Sequence, residues 1–422
     1  EIGSGLVGSE MCIRDSTKGG MMDGTDSATA RHEDEAKRNT NGTADVIDRK
    51  GFAETYTVEE CCEILDSQRV PIKGSERSAG EYPYYGANGI QDYVDDYIFD
   101  DELVLLAEDG GNFGSKIRPI AYRVSGKCWV NNHAHVLKPK SMIDVDYLCY
   151  SLMFYDTNGL VNGATRQKLT QATMRKMKIP KITLEEQLKI VEKLKKVQGV
   201  ITKKRKQLEG LDILIKARFV EMFGDPVKNP KGWEVVTIGD IVTEVRYGTS
   251  KPAVEGGKYP YLRMNNLTAD GHLDLNDLKY IDIPDDEIEK CVVRKGDVLF
   301  NRTNSIELVG KTVVFDLQED MIIAGYIIRV RLNKRLLPEI LSQYMNLEAL
   351  KDILRSMAKG AVNQANINAQ ELQSIKVYIP DMELQKRFIE MKNQVDKSKV
   401  AVQKALDEIQ MLFDSLMQEY FG

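Results

Sequence analysis

Two spacing regimes alternate along the chain. From Phe52 to Ile179 the apolar residues come in short runs separated by turn formers. Leu103–Ala107 and Cys128–Val130 read as strands, with Gly110–Gly111 and Ser125–Gly126 as turns. Val145, Leu148, Leu152 and Tyr155 recur at helical spacing, which predicts a helix within Ser141–Tyr155. Met177–Ile179 is strand-like and stops at Pro180. The spacing then changes. Thr183 followed by Glu186 is a capping-box signature, and Leu184, Leu188, Val191, Leu194, Ile201, Leu208, Leu211 and Ile215 form a nearly continuous seam with three- and four-residue steps. This predicts a helix to about Met222 with Gly224 as its stop. A helix of about forty residues rises roughly 60 Å.

The sequence then repeats itself. Gly224–Gly232 is dense in breakers. Strands are predicted at Val235–Ile238, Asp297–Phe300, Thr312–Phe315 and Tyr326–Leu332, and a helical segment at Pro338–Met357. Pro380 closes this region. A second helical seam follows through Leu384, Phe388, Met391, Val395, Val402, Ala405, Ile409, Leu412, Leu416 and Tyr420. Local matches recur in the same order: Tyr82–Tyr84 with Tyr259–Tyr261, Gly163, Ala164 and Gln167 with Gly360, Ala361 and Gln364, Ile179–Pro180 with Ile379–Pro380, Leu184 with Leu384, and Phe223–Gly224 with Phe421–Gly422. An ordered series at element boundaries points to duplication. The last pair is 198 residues apart and the Ile-Pro pair 200, which predicts long helices differing by two residues in effective length. The expected organisation is a leader over 1–50, a β-rich domain over 51–180, a helix over 181–224, a second domain over 225–380 and a second helix over 381–422.

The leader is rich in Gly, Ser, Thr, Asp and Lys and poor in apolar residues, so it is expected to be disordered. Its stretch Gly5–Ser16 resembles a translated sequencing adapter, and a non-native origin is the alternative expectation. The remainder has a globular composition, 42% hydrophobic and 29% charged. No apolar run is long enough to span a bilayer, and a cytoplasmic location is expected. The six cysteines form no CxxC pair and read as reduced, buried thiols. Net charge is −6, yet charge is uneven. Arg175–Arg218 carries fourteen Lys or Arg against five Asp or Glu, and local field rather than total charge governs nucleic-acid contact.

Catalytic signatures are lacking. Gly310-Lys311-Thr312 ends like a phosphate-binding loop, but the required upstream glycine falls on Ser305. There is no Asn-Pro-Pro-aromatic or Asp-Pro-Pro-aromatic tetrapeptide of amino-methyl transfer. His133 and His135 lack a third ligand nearby in sequence for a metal site.

The chain resembles the specificity subunits of type I restriction-modification systems. The first half carries the resemblance in Tyr82–Ile90, Tyr97–Asp101, Glu108–Gly111 and Trp129–His135, and the second in Gly232–Asp240, Gly296–Asn304 and Val309–Lys311. It covers Glu54–Gly422 and departs from the family pattern in two places. The first half lacks the Gly-Trp opening of Gly232–Trp233, and the second helix begins Glu383-Leu-Gln385 where the first has Glu186-Gln187. The resemblance implies an α+β fold with an internal pseudo-two-fold repeat, in which two β-rich target-recognition domains are separated by a long antiparallel two-helix coiled coil. It implies a non-catalytic subunit that recognises double-stranded DNA, each domain reading one half of a bipartite target. Two modification (methyltransferase) subunits and restriction subunits are the expected partners. No cofactor is expected in this chain; S-adenosylmethionine, ATP and Mg2+ belong to those partners. The alternative is a coiled-coil adaptor that binds no DNA.

Base reading requires polar side chains on presented loops. The candidates in the first half are Asn112, Lys116, Arg118, Asn132, His133, His135, Arg166, Gln167 and Lys168. Those in the second are Arg246, Arg263, Asn265, Asn266, Asn301, Arg302, Asn304, Lys359, Asn363 and Gln364. For the glycine-bearing segments at 163–168 and 359–364, a turn into the last strand is the competing role, and for the asparagines of 131–135 it is satisfaction of backbone groups.

Overall fold

The computed structural model describes residues 54–163, 166–361 and 364–422. The leader and Asn363 lie outside the described residues. The chain forms two compact units, one of residues up to Ile201 together with Glu408–Gly422, the other of Thr202–Asp407.

In the first unit a six-stranded sheet is centred on Phe99–Ala107. That strand pairs antiparallel with Ala121–Val130 on one side and Ala134–Pro139 on the other. Leu103, Val104, Leu105, Leu106 and Ala107 are all fully buried, as expected of a central strand covered on both faces. The strand Ala79–Gly86, which contains the Tyr-Pro-Tyr motif, joins Ala121–Val130 in parallel. Tyr84 is buried and its hydroxyl bonds the Ile72 backbone, so this motif belongs to the core. The helix predicted within Ser141–Tyr155 runs over Val145–Met153 and is capped by the Asp144 carboxylate.

The second unit repeats the plan with one break. Val298–Asn301 pairs with Thr312–Val314 and Ile327–Leu332, as Phe99–Ala107 does with its neighbours. The counterpart of the continuous strand Ala121–Val130 is divided here into Thr312–Val314 and Met321–Ile323. Tyr259–Leu262 pairs in parallel with the second piece, the relation that Ala79–Gly86 has in the first unit. The helical segment expected at Pro338–Met357 is two helices, Pro338–Met345 and Glu348–Met357.

Both long helices are 40 residues, Leu184–Phe223 and Met382–Phe421. The expected two-residue difference therefore lies outside them, in the linkers that follow Pro180 and Pro380. The helices are in register at an offset of 198, so Leu184 matches Met382 rather than Leu384. Within the second unit Phe219 and Phe223 pack on Phe388, at ring distances of 5.2 and 5.5 Å, and Lys399 pairs with Asp212 at 2.5 Å. Residues late in one helix thus meet residues early in the other, the antiparallel arrangement. The first unit agrees, with Lys193 bonding the Tyr420 hydroxyl at 3.2 Å. There, Tyr147 and Tyr150 of the short helix pack on Phe421 and Phe413. The Thr183–Glu186 capping box forms as predicted. The five cysteines among the described residues are free and buried.

Candidate nucleic-acid interface

In each unit a hairpin closes over the end of the central strand. Val161–Asn162 pairs with Lys168–Leu169 in the first. The Leu169 N–H donates to the Glu108 carbonyl at 2.7 Å, just beyond Phe99–Ala107. Lys359–Ala361 pairs with Gln364–Asn366 in the second, and there the Ile367 N–H donates to the Arg302 carbonyl at 2.9 Å, just beyond Val298–Asn301. The two glycine-bearing segments singled out in the sequence are therefore one structural element used twice.

Around the first hairpin the fold gathers Glu108–Asn112, Asn131–His133 and Arg166–Lys168. The Gly110 N–H donates to the Gln167 carbonyl at 3.1 Å, and Asn88 donates to the Gly110 carbonyl at 3.0 Å. Asp109 accepts from Arg166 at 2.8 Å and lies 2.6 Å from His133 Nδ1. Lys168 pairs with Glu108 at 3.0 Å. Burial would raise the Glu108 carboxyl, but hydrogen bonds from Arg69 and Lys168 more than offset this and hold it below the ordinary value. Arg166, Gln167, Lys168 and Asn132 are exposed, and His133 and Asn112 are partly so. Lys116 and Arg118 are exposed on the segment that follows Asn112.

His135 does not join this surface. It is fully buried, with Nδ1 2.7 Å from Asp66 and Nε2 3.0 Å from the Leu169 carbonyl. Asp66 also accepts from the Val136 N–H and from Gln171, both at 2.9 Å. Burial raises this carboxyl, but the hydrogen bonds and charge of His135, with those from Val136 and Gln171, bring it below its ordinary value. Asp66, Glu108 and His135 stand close enough to suggest a cation site. Arg69 and Lys168 already supply the positive charge, since Arg69 lies 2.6 Å from Glu108 and 3.5 Å from Asp66. The cluster anchors the hairpin from below.

In the second unit Thr303–Asn304 pairs with the hairpin strand Gln364–Asn366. Arg302 stacks 4.9 Å over the Tyr247 ring, beside exposed Arg246. Lys359 and Gln364 are placed through their backbone. Two candidates here are buried. Asn301 is fully enclosed and donates to the Thr303 carbonyl at 3.3 Å. Asn266 is buried, accepting from the Arg263 N–H and donating to the Asp274 carbonyl, each at 2.8 Å. Asn304 is half-buried and bonds Asn301 at 3.1 Å. Arg263 pairs with Asp277 at 2.7 Å, and Asn265 is exposed. His135, Asn266 and Asn301 thus spend their polar atoms inside the protein and present none to a surface ligand. Lys311 of the rejected phosphate-loop match is buried as well, bonding the Met264 carbonyl at 2.9 Å.

One buried glutamine fixes each domain to its helix. Gln187 is fully buried. It accepts from the Asp144 N–H at 2.8 Å and donates to the carbonyls of Met142 and Ile182, at 3.1 and 3.0 Å. Gln385, also fully buried, accepts from the Leu337 N–H at 2.9 Å and donates to the carbonyls of Arg335 and Pro380, at 3.1 and 2.8 Å. The expected difference between the two junctions disappears: each glutamine is the fourth residue of its helix. Counting from the helix cap rather than from the Ile-Pro pair would have aligned them.

The family model described as "Type I restriction modification DNA specificity domain" matches residues 52–210 and again 230–410, one match for each half of the repeat. The chain belongs to this family. It carries two DNA-specificity domains, and the catalytic work of a type I system lies on other subunits. Over 340 residues it is 26% identical to a protein of Haemophilus influenzae described as a type I restriction enzyme specificity subunit, spanning 79% of this chain and 84% of that one. Over 381 residues it is 25% identical to the specificity subunit of the EcoKI type I restriction enzyme of Escherichia coli, spanning 80% and 81%. The fold is that of the type I restriction-modification S subunit from M. genitalium, with a TM-score of 0.50 at 14% identity over 89% of this chain and 98% of that one. A structure from a study of complex assembly in a type I system matches with the same TM-score at 18% identity, over 87% and 97%. The adaptor alternative finds no support in these likenesses. Among the described residues no helix is long and apolar enough to cross a membrane.

Proposed function

We propose that each specificity domain reads one half of a bipartite double-stranded DNA target through the hairpin at the end of its central strand, with the two helices setting the spacing. The observation that carries this reading is the repeated hairpin. In both domains it adjoins further polar candidates, with Arg166, Gln167 and Lys168 exposed in the first and Arg302 and Arg246 nearby in the second. The first domain's contact set is Asn112, Lys116, Arg118, Asn132, His133, Arg166, Gln167 and Lys168. The second's is Arg246, Arg263, Asn265, Arg302, Asn304, Lys359, Asn363 and Gln364. Helices of 40 residues rise roughly 60 Å, more than one duplex turn of about 34 Å, a length suited to separated half-sites.

The helices also dock two modification subunits, which bring S-adenosylmethionine chemistry, and the assembly recruits restriction subunits that use ATP and Mg2+ in the cytoplasm. Exposed apolar pairs support two equivalent docking points. Ile213 and Leu214 are 66% and 41% exposed, and Met411 and Leu412, at the same two positions of the other helix, are 63% and 50% exposed. Exposed residues of this size in repeat-related places fit repeated partner contacts.

The test is to co-express the chain with its modification subunits and map methylated adenines across the host genome, with and without this gene. A bipartite methylated motif that depends on the gene, together with salt-dependent binding of duplexes carrying it, is expected. Absence of both would overturn the reading. Changing Ile213 and Leu214 to Asp should release one modification subunit by light scattering and leave the second, held by Met411 and Leu412. An unchanged mass would remove the docking assignment.

A further inference from the structure

The position of Arg166 is held by groups beneath it. Its side chain is 59% exposed, while the Asp109 carboxylate that accepts from its Nη2 at 2.8 Å is only 17% exposed. Asp109 is held in turn by His133, whose Nδ1 lies 2.6 Å from the same carboxylate oxygen. Two glycines make room. A Cβ at Gly163, where φ is +104°, would meet the Arg166 carbonyl oxygen at 2.4 Å. A Cβ at Gly110, where φ is +61°, would lie 3.3 Å from Arg166 Nε. Gly163 thus lets the backbone turn tightly into Arg166, and Gly110 leaves room beside the guanidinium.

We propose that Arg166 is a specificity-determining residue that reads a guanine in the half-site of the first domain, with Asp109 as its positioning residue. This rests on the DNA-reading function above. Among the described residues the side-chain contacts of Arg166 fall on Nη2: it donates to Asp109, and His133 Nδ1, whose proton goes to that same carboxylate, lies 3.3 Å away without accepting from it. A guanidinium has two fork edges that share one Nη, and Asp109 occupies one of them, leaving the other for a pair of acceptors. Guanine is the base that presents two adjacent acceptors, O6 and N7, in the major groove, and arginine is their usual partner. Fixing the fork in advance reduces the side-chain ordering required on binding.

The experiment compares methylation motifs of the full chain, co-expressed with its modification subunits, for the wild type, Arg166→Ala, Arg166→Lys and Asp109→Asn. The wild type should show an invariant guanine at one position of one half-site. Arg166→Ala and Arg166→Lys should relax that position alone, with discrimination against other bases falling about 5- to 150-fold in competition binding with defined duplexes. Asp109→Asn should relax the same position more weakly. The other half-site should be unchanged throughout. A merely structural role for the pair would blur several positions of the half-site together, and that result, or an unchanged motif, overturns the proposal. If Arg166→Ala abolishes methylation, Asp109→Asn decides, since it keeps the guanidinium: relaxation at one position supports the proposal and an intact motif overturns it. A wild-type complex with no bipartite motif would instead defeat the DNA reading itself, and the proposal with it.

Discussion

Gln187 and Gln385 each join a domain to its helix by the same three hydrogen bonds. The charges buried inside the two domains follow no such rule. The first domain holds Asp66 against His135 beneath its hairpin, and the strand position facing Leu106 is His135 itself. In the second domain Ile328 faces the corresponding Phe300. Its buried charge lies elsewhere, where Arg329 and Arg331 share Glu244 at 2.8 Å and Arg331 also pairs with Asp297 at 2.8 Å. Duplication therefore kept what satisfies the backbone at the helix junction and left each domain to balance its own interior charges. A neutral amide bonded to main-chain groups fits any domain that ends at that junction. A buried carboxylate fits only where its own partners stand.

The contrast can be broken by substitution. The two tryptophans supply reporters: Trp129 donates to the Val70 carbonyl in the first unit and Trp233 to the Phe223 carbonyl in the second. Removing either leaves fluorescence specific to one unit. The largest effect is expected at Asp66. Asp66→Ala strips a buried carboxylate from His135, Gln171 and the Val136 N–H, and should cost the first unit about 3–5 kcal/mol in urea unfolding while leaving the Trp233 signal in place. Its pH dependence follows from the lowered carboxyl. The folded-state value lies below the unfolded 3.8, so the stabilisation is complete above that value and is lost as pH falls through the folded one. The gap between wild type and Asp66→Asn should therefore close below about pH 4.

Next come the junctions. Gln187→Ala and Gln385→Ala each leave buried backbone groups unpaired and should cost about 2–3 kcal/mol, one read by Trp129 and the other by Trp233. Clearly unequal costs would show that the two junctions are alike in geometry but not in energy. The smallest effect concerns Lys351, which has a role only in the second domain. Its buried amine donates to the Gly310 carbonyl at 2.6 Å, and desolvation, with Arg355 nearby, lowers its pKa from 10.5 to about 8. A lysine lowered in the folded state carries a penalty below that value, relieved as pH rises toward the unfolded one. Wild-type stability should gain about 1 kcal/mol relative to Lys351→Met between pH 7 and pH 9. A flat difference would remove the assignment.

The long helices were legible because each carries a nearly continuous seam with three- and four-residue steps, and the central strands because Leu103–Ala107 and Val298–Phe300 are apolar runs bounded by glycine or polar turns. The candidate interface was legible in part. Arg166–Lys168 were found through their glycine-bearing segment, which repeats. His135 and Asn301 were misplaced because the histidine and asparagine of a recognition loop look the same in sequence as those of a polar core. Only the fold reveals that Asp66, 69 residues away, is waiting beneath the sheet. The equivalence of the junction glutamines was hidden by the choice of the Ile-Pro pair as the ruler, since the spacing between proline and helix cap differs in the two halves.

The packing of Phe413 and Phe421 on Tyr150 and Tyr147 has a consequence for synthesis. A ribosome delivers the strands around Phe99–Ala107 first, yet the aromatic cover over Tyr147 arrives only after the whole second domain has been made. The first domain can assemble its sheet in the order of emergence, but that cover must wait for the second domain. A stop codon shortly before Phe413 would thus leave its mark on the domain that was made first.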